Sequence, residues 1–301
     1  MSDFGKIESS SGFNKFKVIF AAVSWGTMGL FVRFIDMPSS LIACIRGFIG
    51  ALFLFALVKL SKKSLDTKAI NENLKYLILS GIALGFNWIL IFEAYKRTSL
   101  AIASLCYYLA PVIVIVMSHF LFKEYLSFKK IVCVALALLG MVFVSGLLQG
   151  ELGSGYGVIG MICGLCAGVL YATVTLLSKK IKGISAFDET IVQLLVAAIV
   201  LIPYNIITVD SNDIKLTSVS VTMVILLGMI HTGGAFGAYF SSLQHLKAQT
   251  VAIFSYLDPV VSILASIFIL KESMDVLSLV GAVLILGSIL FSELSSDPQR
   301  H

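Results

Sequence analysis

The chain has 301 residues, 58% hydrophobic and 13% charged, with 22 Lys and Arg against 17 Asp and Glu for a net charge of +5. Soluble domains are about half apolar and roughly a quarter charged, so these few charges do not suffice to cover a water-facing surface, and apolar side chains must face lipid. That excludes an ordinary cytosolic enzyme, a secreted disulfide scaffold, a disordered protein and a nucleic-acid binder; the basic excess reads as lysine anchoring beside a membrane.

A helix needs about 20 apolar residues to cross the hydrocarbon. Residues 1–15 are Ser-rich and polar, and no small-residue cleavage site follows a short apolar run. They read as a disordered cytoplasmic tail rather than a cleavable signal. Apolar runs then fall near 16–34, 38–58, 74–95, 99–120, 127–148, 156–178, 186–208, 219–242, 248–270 and 275–293. They predict an all-α integral membrane protein of ten transmembrane helices, with helices 1–5 in 16–148, helices 6–10 in 156–293 and a second cytoplasmic tail at 294–301. The longest connections, 59–73 and 209–218, are polar and leave no room for a soluble domain.

Lysine and arginine concentrate on one side of this topology. With the N-terminus inside, that side holds Lys6, Lys15, Lys17, Lys59, Lys62, Lys63, Lys68, Lys75, Lys123, Lys129, Lys130, Lys179, Lys180, Lys182, Lys247 and Arg300; the other holds only Arg33, Lys96, Arg97, Lys215 and Lys271. Both termini are therefore expected to be cytoplasmic. The cysteines (Cys44, Cys106, Cys133, Cys163, Cys166) all fall within spans. A disulfide framework is not expected, and Cys163-x-x-Cys166 lacks the His or carboxylate that would complete a metal site.

The chain repeats itself. Residues 105–124 (LCYYLAPVIVIVMSHFLFKE) match 253–272 (IFSYLDPVVSILASIFILKE), pairing Tyr108 with Tyr256, Pro111 with Pro259 and Lys123-Glu124 with Lys271-Glu272. Trp25-Gly26-Thr27 aligns loosely with Tyr171-Ala172-Thr173. Five spans per half is an odd number, so the halves enter the membrane from opposite sides. Inverted repeats of this kind supply a transporter with two similar gates around one midplane site. The repeated Y-x-x-P…K-E segment, with the stretches 87–111 and 231–259, resembles the drug/metabolite transporter superfamily, its EamA-type permeases in particular. The resemblance covers about 16–293. It implies a ten-helix bundle around a central cavity, commonly exporting small metabolites, in the bacterial plasma membrane.

Polar groups at membrane depth are costly and face the protein interior. Arg46 lies near mid-depth, where an arginine costs about 2.5–3.5 kcal/mol on insertion scales. It could hold a substrate carboxylate or phosphate through its planar fork, cap carbonyls of a broken helix, or pair with Glu93 or Asp258. Gln193 stands where the second half would repeat Arg46. Pro111 and Pro259 are expected at hinges, because proline frees a carbonyl and bends a helix. Asp258, beside the second hinge, could bind a coupling proton or cation or pair with a basic neighbour. His231 could relay protons or donate to a backbone carbonyl. Asn87 could line the cavity or bond another helix. Trp88 could stack on a substrate ring or close a gate, and Trp25 is placed similarly. Tyr107, Tyr108, Tyr171, Tyr239 and Tyr256 add hydroxyls at depth. Glu93 and Arg97 are expected to form an i,i+4 pair. Lys123-Glu124 and Lys271-Glu272 read as interfacial anchors or as pins for short turns.

These features point to a secondary transporter that moves a small polar metabolite, an amino acid or related compound, by alternating access, in the export direction. The alternative is a nucleotide-type anion or drug carrier of the same fold. A non-transporting sensor and an intramembrane enzyme are less favoured; no HExxH, GxSxG or P-loop is present. The expected partners are a small-molecule solute and the lipid bilayer. No nucleic acid, cofactor or metal is expected, and the chain is expected to be a monomer or weak homodimer.

Overall fold

The computed structural model describes residues 11–32, 34–97, 103, 106–144, 157–269 and 276–294. Every regular element among them is helical. The first half contains α1 (Ser11–Val32), α2 (Ser39–Leu60), α3 (Thr67–Arg97), α4 (Ala110–Phe122) and α5 (Phe128–Val144). The second opens with α6 (Gly157–Lys180) and α7 (Ala186–Thr208). Residues Ser218–His245 then form one rod of three parts: α8 (Ser218–Leu226), a wide π segment (Leu227–Gly234) and α9 (Ala235–His245). The last helices are α10 (Ala248–Ser255), α11 (Leu257–Phe268) and α12 (Val276–Leu294).

Six helical stretches are long and apolar enough to cross a membrane: Ser11–Val32, Ser39–Leu60, Thr67–Ala94, Val158–Lys180, Ala186–Thr208 and Ser218–His245. Shorter apolar helices stand beside them. Large apolar residues such as Leu52, Phe120, Ile206 and Phe268 are exposed, as expected of faces turned to lipid. Among the described residues no disulfide forms.

Two helices start earlier than apolarity alone indicates. Helix α1 begins at Ser11, so residues 11–15 of the expected tail are helical. Asn14 is fully buried and its carbonyl accepts from Ser242 Oγ at 2.9 Å, which fastens this polar turn to the end of α9. Helix α3 begins at Thr67 rather than 74, with the Asp66 side chain accepting from Ala69 N at 3.0 Å as an N-terminal cap. The remainder of both tails, the linker at 145–156, the start of span 99–120 apart from Ala103, and Lys271-Glu272 lie outside the described residues.

The span expected at 248–270 is broken. Helix α10 stops at Ser255 and α11 restarts at Leu257. Pro259 occupies the first turn of α11, and Pro111 the first turn of α4. At a first turn the missing N–H removes no helical bond. The prolines therefore stand just after a break instead of bending a helix interior.

The packing exchanges the halves. Helix α1 packs on α9 and α11, while α6 packs on α3 and α4. Helix α3 crosses α7, and the π segment crosses α2. The pairs α2 with α7, α4 with α10 and α5 with α12 join matching positions of each half. Close crossings use glycine: a Cβ on Gly26 would stand 2.5 Å from the Asp258 carbonyl oxygen, so only glycine lets α1 lie against the start of α11.

Candidate functional site

An aromatic cluster fills the centre of the bundle where α1, α3, α6 and α9 meet. Trp25 sits with ring centroids 5.0 Å from Phe236, 5.2 Å from Tyr239 and 6.5 Å from Tyr171. Tyr171 in turn lies 5.7 Å from Tyr107 and 6.1 Å from Tyr239. The Tyr239 hydroxyl bonds Thr175 Oγ1 at 3.0 Å and is buried. Trp25, Tyr107, Tyr108 and Tyr171 are only half-buried, so a wall of rings and hydroxyls remains reachable. Phe236 was missed at the sequence level because a phenylalanine in an apolar run carries no distinguishing signal.

The π segment fixes Trp25. Its wide turn is bridged by Thr232, whose hydroxyl donates to the Leu227 carbonyl at 2.9 Å. The His231 carbonyl accepts the Trp25 indole N–H at 3.1 Å. The His231 ring is buried, lies 4.5 Å from Phe31 and reaches Thr27 Oγ1 at 3.3 Å. Wide turns of this kind concentrate at functional positions because they free backbone groups for tertiary bonds.

Arg46 lies beside this region, 7% exposed. Its guanidinium stands 4.8 Å above the Trp88 ring, and Nη1 donates to Met28 Sδ at 3.1 Å. It makes no ion pair among the described residues, so neither Glu93 nor Asp258 neutralises it. Glu93 instead binds Lys96 at 3.2 Å and Arg97 at 3.1 Å, as an exposed pair, and accepts from the Tyr204 hydroxyl. Trp88 is 5% exposed and meets Phe236 edge-on at 6.2 Å. It thereby links the cation to the aromatic wall.

Asp258 is half-buried at the start of α11, where Tyr108 hydrogen-bonds its carboxyl. The Tyr108 ring lies 5.8 Å from that of Tyr107, which in turn meets Tyr171 of the aromatic wall. One cation, through Trp88, and one carboxyl, through Tyr108, thus flank the same aromatic wall. Tyr256 marks the helix break; it is fully buried and its hydroxyl has no partner among the described residues.

Two expected site residues lie elsewhere. Asn87 donates to the Ala167 carbonyl at 2.7 Å and is 1% exposed, which bolts α3 to α6. Gln193 belongs to a buried cluster toward the lysine-rich end, where Nε2 reaches Ser80 Oγ at 2.8 Å and Ser178 Oγ at 2.9 Å. That end carries further ties between helices. Lys17 Nζ donates to Ser241 Oγ at 2.8 Å, and Lys179 Nζ donates to the carbonyls of Leu243, at 2.8 Å, and Leu246.

Glu124 has a role that sequence reading missed. Lys123 closes α4 in the left-handed region at φ 56°, which turns the chain back. The Glu124 carboxylate then accepts from Ala248 N at 2.9 Å and Gln249 N at 3.2 Å, capping α10 in the other half. The partner is backbone, so no residue pattern around Glu124 could disclose it.

The sequence model of the EamA-like transporter family matches residues 15–146 and again 158–294. The chain belongs to the EamA-like transporter family. This EamA-like chain is a membrane transporter. It is 28% identical over 274 residues to the "Uncharacterized transporter YxxF" of Bacillus subtilis, covering 89% of this chain and 86% of that protein. An "Uncharacterized transporter" of Archaeoglobus fulgidus is 26% identical over 281 residues, covering 91% and 94%. "Protein PecM" of Dickeya dadantii is 25% identical over 221 residues, covering 71% of each. A crystal structure 20% identical in sequence superposes with a TM-score of 0.85 over 95% of this chain and 98% of its own, which shows a common fold.

Proposed function

We propose that this EamA-like transporter is a secondary carrier that exports a small polar metabolite, an amino acid or related zwitterion, by alternating access. The observation that carries the reading is the placement of Arg46 on Trp88 and of the Tyr108–Asp258 pair beside Tyr107, both against the same group of rings. It sets one guanidinium and one carboxyl beside an aromatic wall at the break between α10 and α11. A zwitterion presents the opposite charges, and its side chain would rest on Trp25 and Tyr171. Arginine offers a planar fork to a carboxylate. A dianionic phosphate would demand more cations than Arg46.

The ten spans form two inverted five-helix halves with both termini in the cytoplasm. The exchanged packing of the halves and the lysine distribution support this arrangement. The lysine-rich end is tied shut by Lys17, Lys179 and Glu124, while the aromatic wall stays reachable. This supports a state open to the side opposite the lysines. His231 and Trp25 form the hinge of the outer half. Asp258 and His231 serve the coupling step, and Pro111 and Pro259 flank the moving breaks.

The test is flux in proteoliposomes with a panel of labelled amino acids. Saturable exchange by the wild type and its loss in Arg46→Ala, with unfolding temperature retained, is the expected outcome. Equal flux in Arg46→Ala removes Arg46 from the site.

A further inference from the structure

Glu189 is a buried acid near the lysine-rich end of the bundle. It lies in the first turn of α7 and is fully buried. The groups acting on its carboxyl are the neutral side chains of Gln244, Ser178 and Gln193. Gln244 Nε2 donates to Oε2 at 3.1 Å and to the Ile184 carbonyl at 3.2 Å. Gln244 itself is exposed, so it forms the lid between Glu189 and solution at the lysine-rich end.

Charged groups on every neighbouring element point elsewhere. On α6, Lys179 binds the Leu243 and Leu246 carbonyls, and Lys180 and Lys182 are exposed. On α9, His245 turns to the Ser241 carbonyl. On α3, Lys68, Glu72 and Lys75 are exposed. Lys59 of α2 lies over Phe55. On α7 itself, Asp188 accepts from Asp66 N.

The donors that surround this carboxyl are all neutral. Ser80 Oγ already donates to the Leu77 carbonyl, so it accepts one Gln193 N–H, and Ser178 Oγ accepts the other. The Ser178 hydroxyl and the Gln244 amide are then the donors to the Glu189 carboxyl, with Gln193 Nε2 3.4 Å from Oε1. Gln193 Oε1 is buried without a partner. An ionised carboxylate with neutral partners only is costly to bury, and a proton relieves that cost.

We propose that Glu189, sealed by Gln244, is a proton-binding site whose protonation accompanies closure of the lysine-rich end. Drawing α9 away removes the Gln244 lid, hydrates the carboxyl and releases the proton to that side. The link to transport rests on the alternating-access reading, but the site is testable without any solute.

Full-length protein in lipid nanodiscs carries the test. The infrared carbonyl stretch of a protonated carboxyl should be present at neutral pH, disappear in Glu189→Gln and persist in Asp258→Asn. Spin labels at exposed Lys182 and His245 should report a short distance at low pH that lengthens as pH rises; Glu189→Gln should stay short at every pH. Gln244→Ala should hydrate Glu189 and abolish its neutral-pH band while leaving the carboxyl in place, which decides the matter if Glu189→Gln does not fold. An unchanged band in Glu189→Gln or in Gln244→Ala overturns the proposal. So does a pH-dependent distance in Glu189→Gln that equals the wild type. Missing amino-acid flux with these signals intact would refute the transport reading alone.

Discussion

Arg46 is held by a ring and a sulfur rather than by a carboxylate. A desolvated cation–π contact is worth about 2 kcal/mol, enough to keep the guanidinium aimed. Arg46→Lys should fold but transport at least ~10-fold more slowly, because an ammonium neither stacks on Trp88 nor binds bidentately; flux and thermal unfolding measured together would separate the two effects. Asn87→Leu is the contrasting case. It removes an interhelical bond of the kind that averages about 0.6 kcal/mol in membranes, so it should lower the unfolding temperature slightly and leave apparent solute affinity unchanged. A large affinity loss would return Asn87 to the site. Arg46, Trp25 and the tyrosines were legible in the sequence because polar and aromatic residues stand out in apolar runs. Glu189 was not, because it sits where its run begins and reads as an ordinary acidic first turn. Asn87 and Gln193 were legible as buried polar groups, but not their partners, since a carbonyl and two serines leave no pattern in the sequence.

At the scale of elements, the breaks matter most. The Y-x-x-P repeat announced a discontinuity, and α10 and α11 do separate at Tyr256. Sequence placed the proline as the bend; the structure places it in the turn that follows. The π segment left no comparable mark, since Gly233 and Gly234 are equally consistent with close packing alone. The Glu124 cap should be sensitive to charge. Glu124→Gln loses the attraction to the positive end of α10, worth roughly 0.3–1 kcal/mol, and Glu124→Ala also leaves two N–H groups unpaired at roughly 1–3 kcal/mol each. Unfolding temperatures should therefore fall in the order wild type, Glu124→Gln, Glu124→Ala; equal values would remove the cap from the energetics. Gly26→Val should be worse than either, because a Cβ at 2.5 Å from the Asp258 carbonyl meets backbone that cannot yield.

For the whole molecule, membrane residence followed from composition and the two-half plan from the repeat, and the family matches fall on the same two stretches. The exchanged contacts add what sequence could not: α1 rests on α9 and α11 of the second half, and α6 on α3 and α4 of the first. Impermeant thiol reagents should reach a cysteine at Lys247 only from the cytoplasm and one at Lys215 only from outside; the reverse would invert the topology.

The most direct measurement is counterflow of labelled amino acids into proteoliposomes preloaded with the same unlabelled compounds. The account predicts saturable counterflow through the wild type, abolished in Arg46→Ala that unfolds at the wild-type temperature. Counterflow undiminished by that substitution, or absent for every amino acid tested, would contradict it.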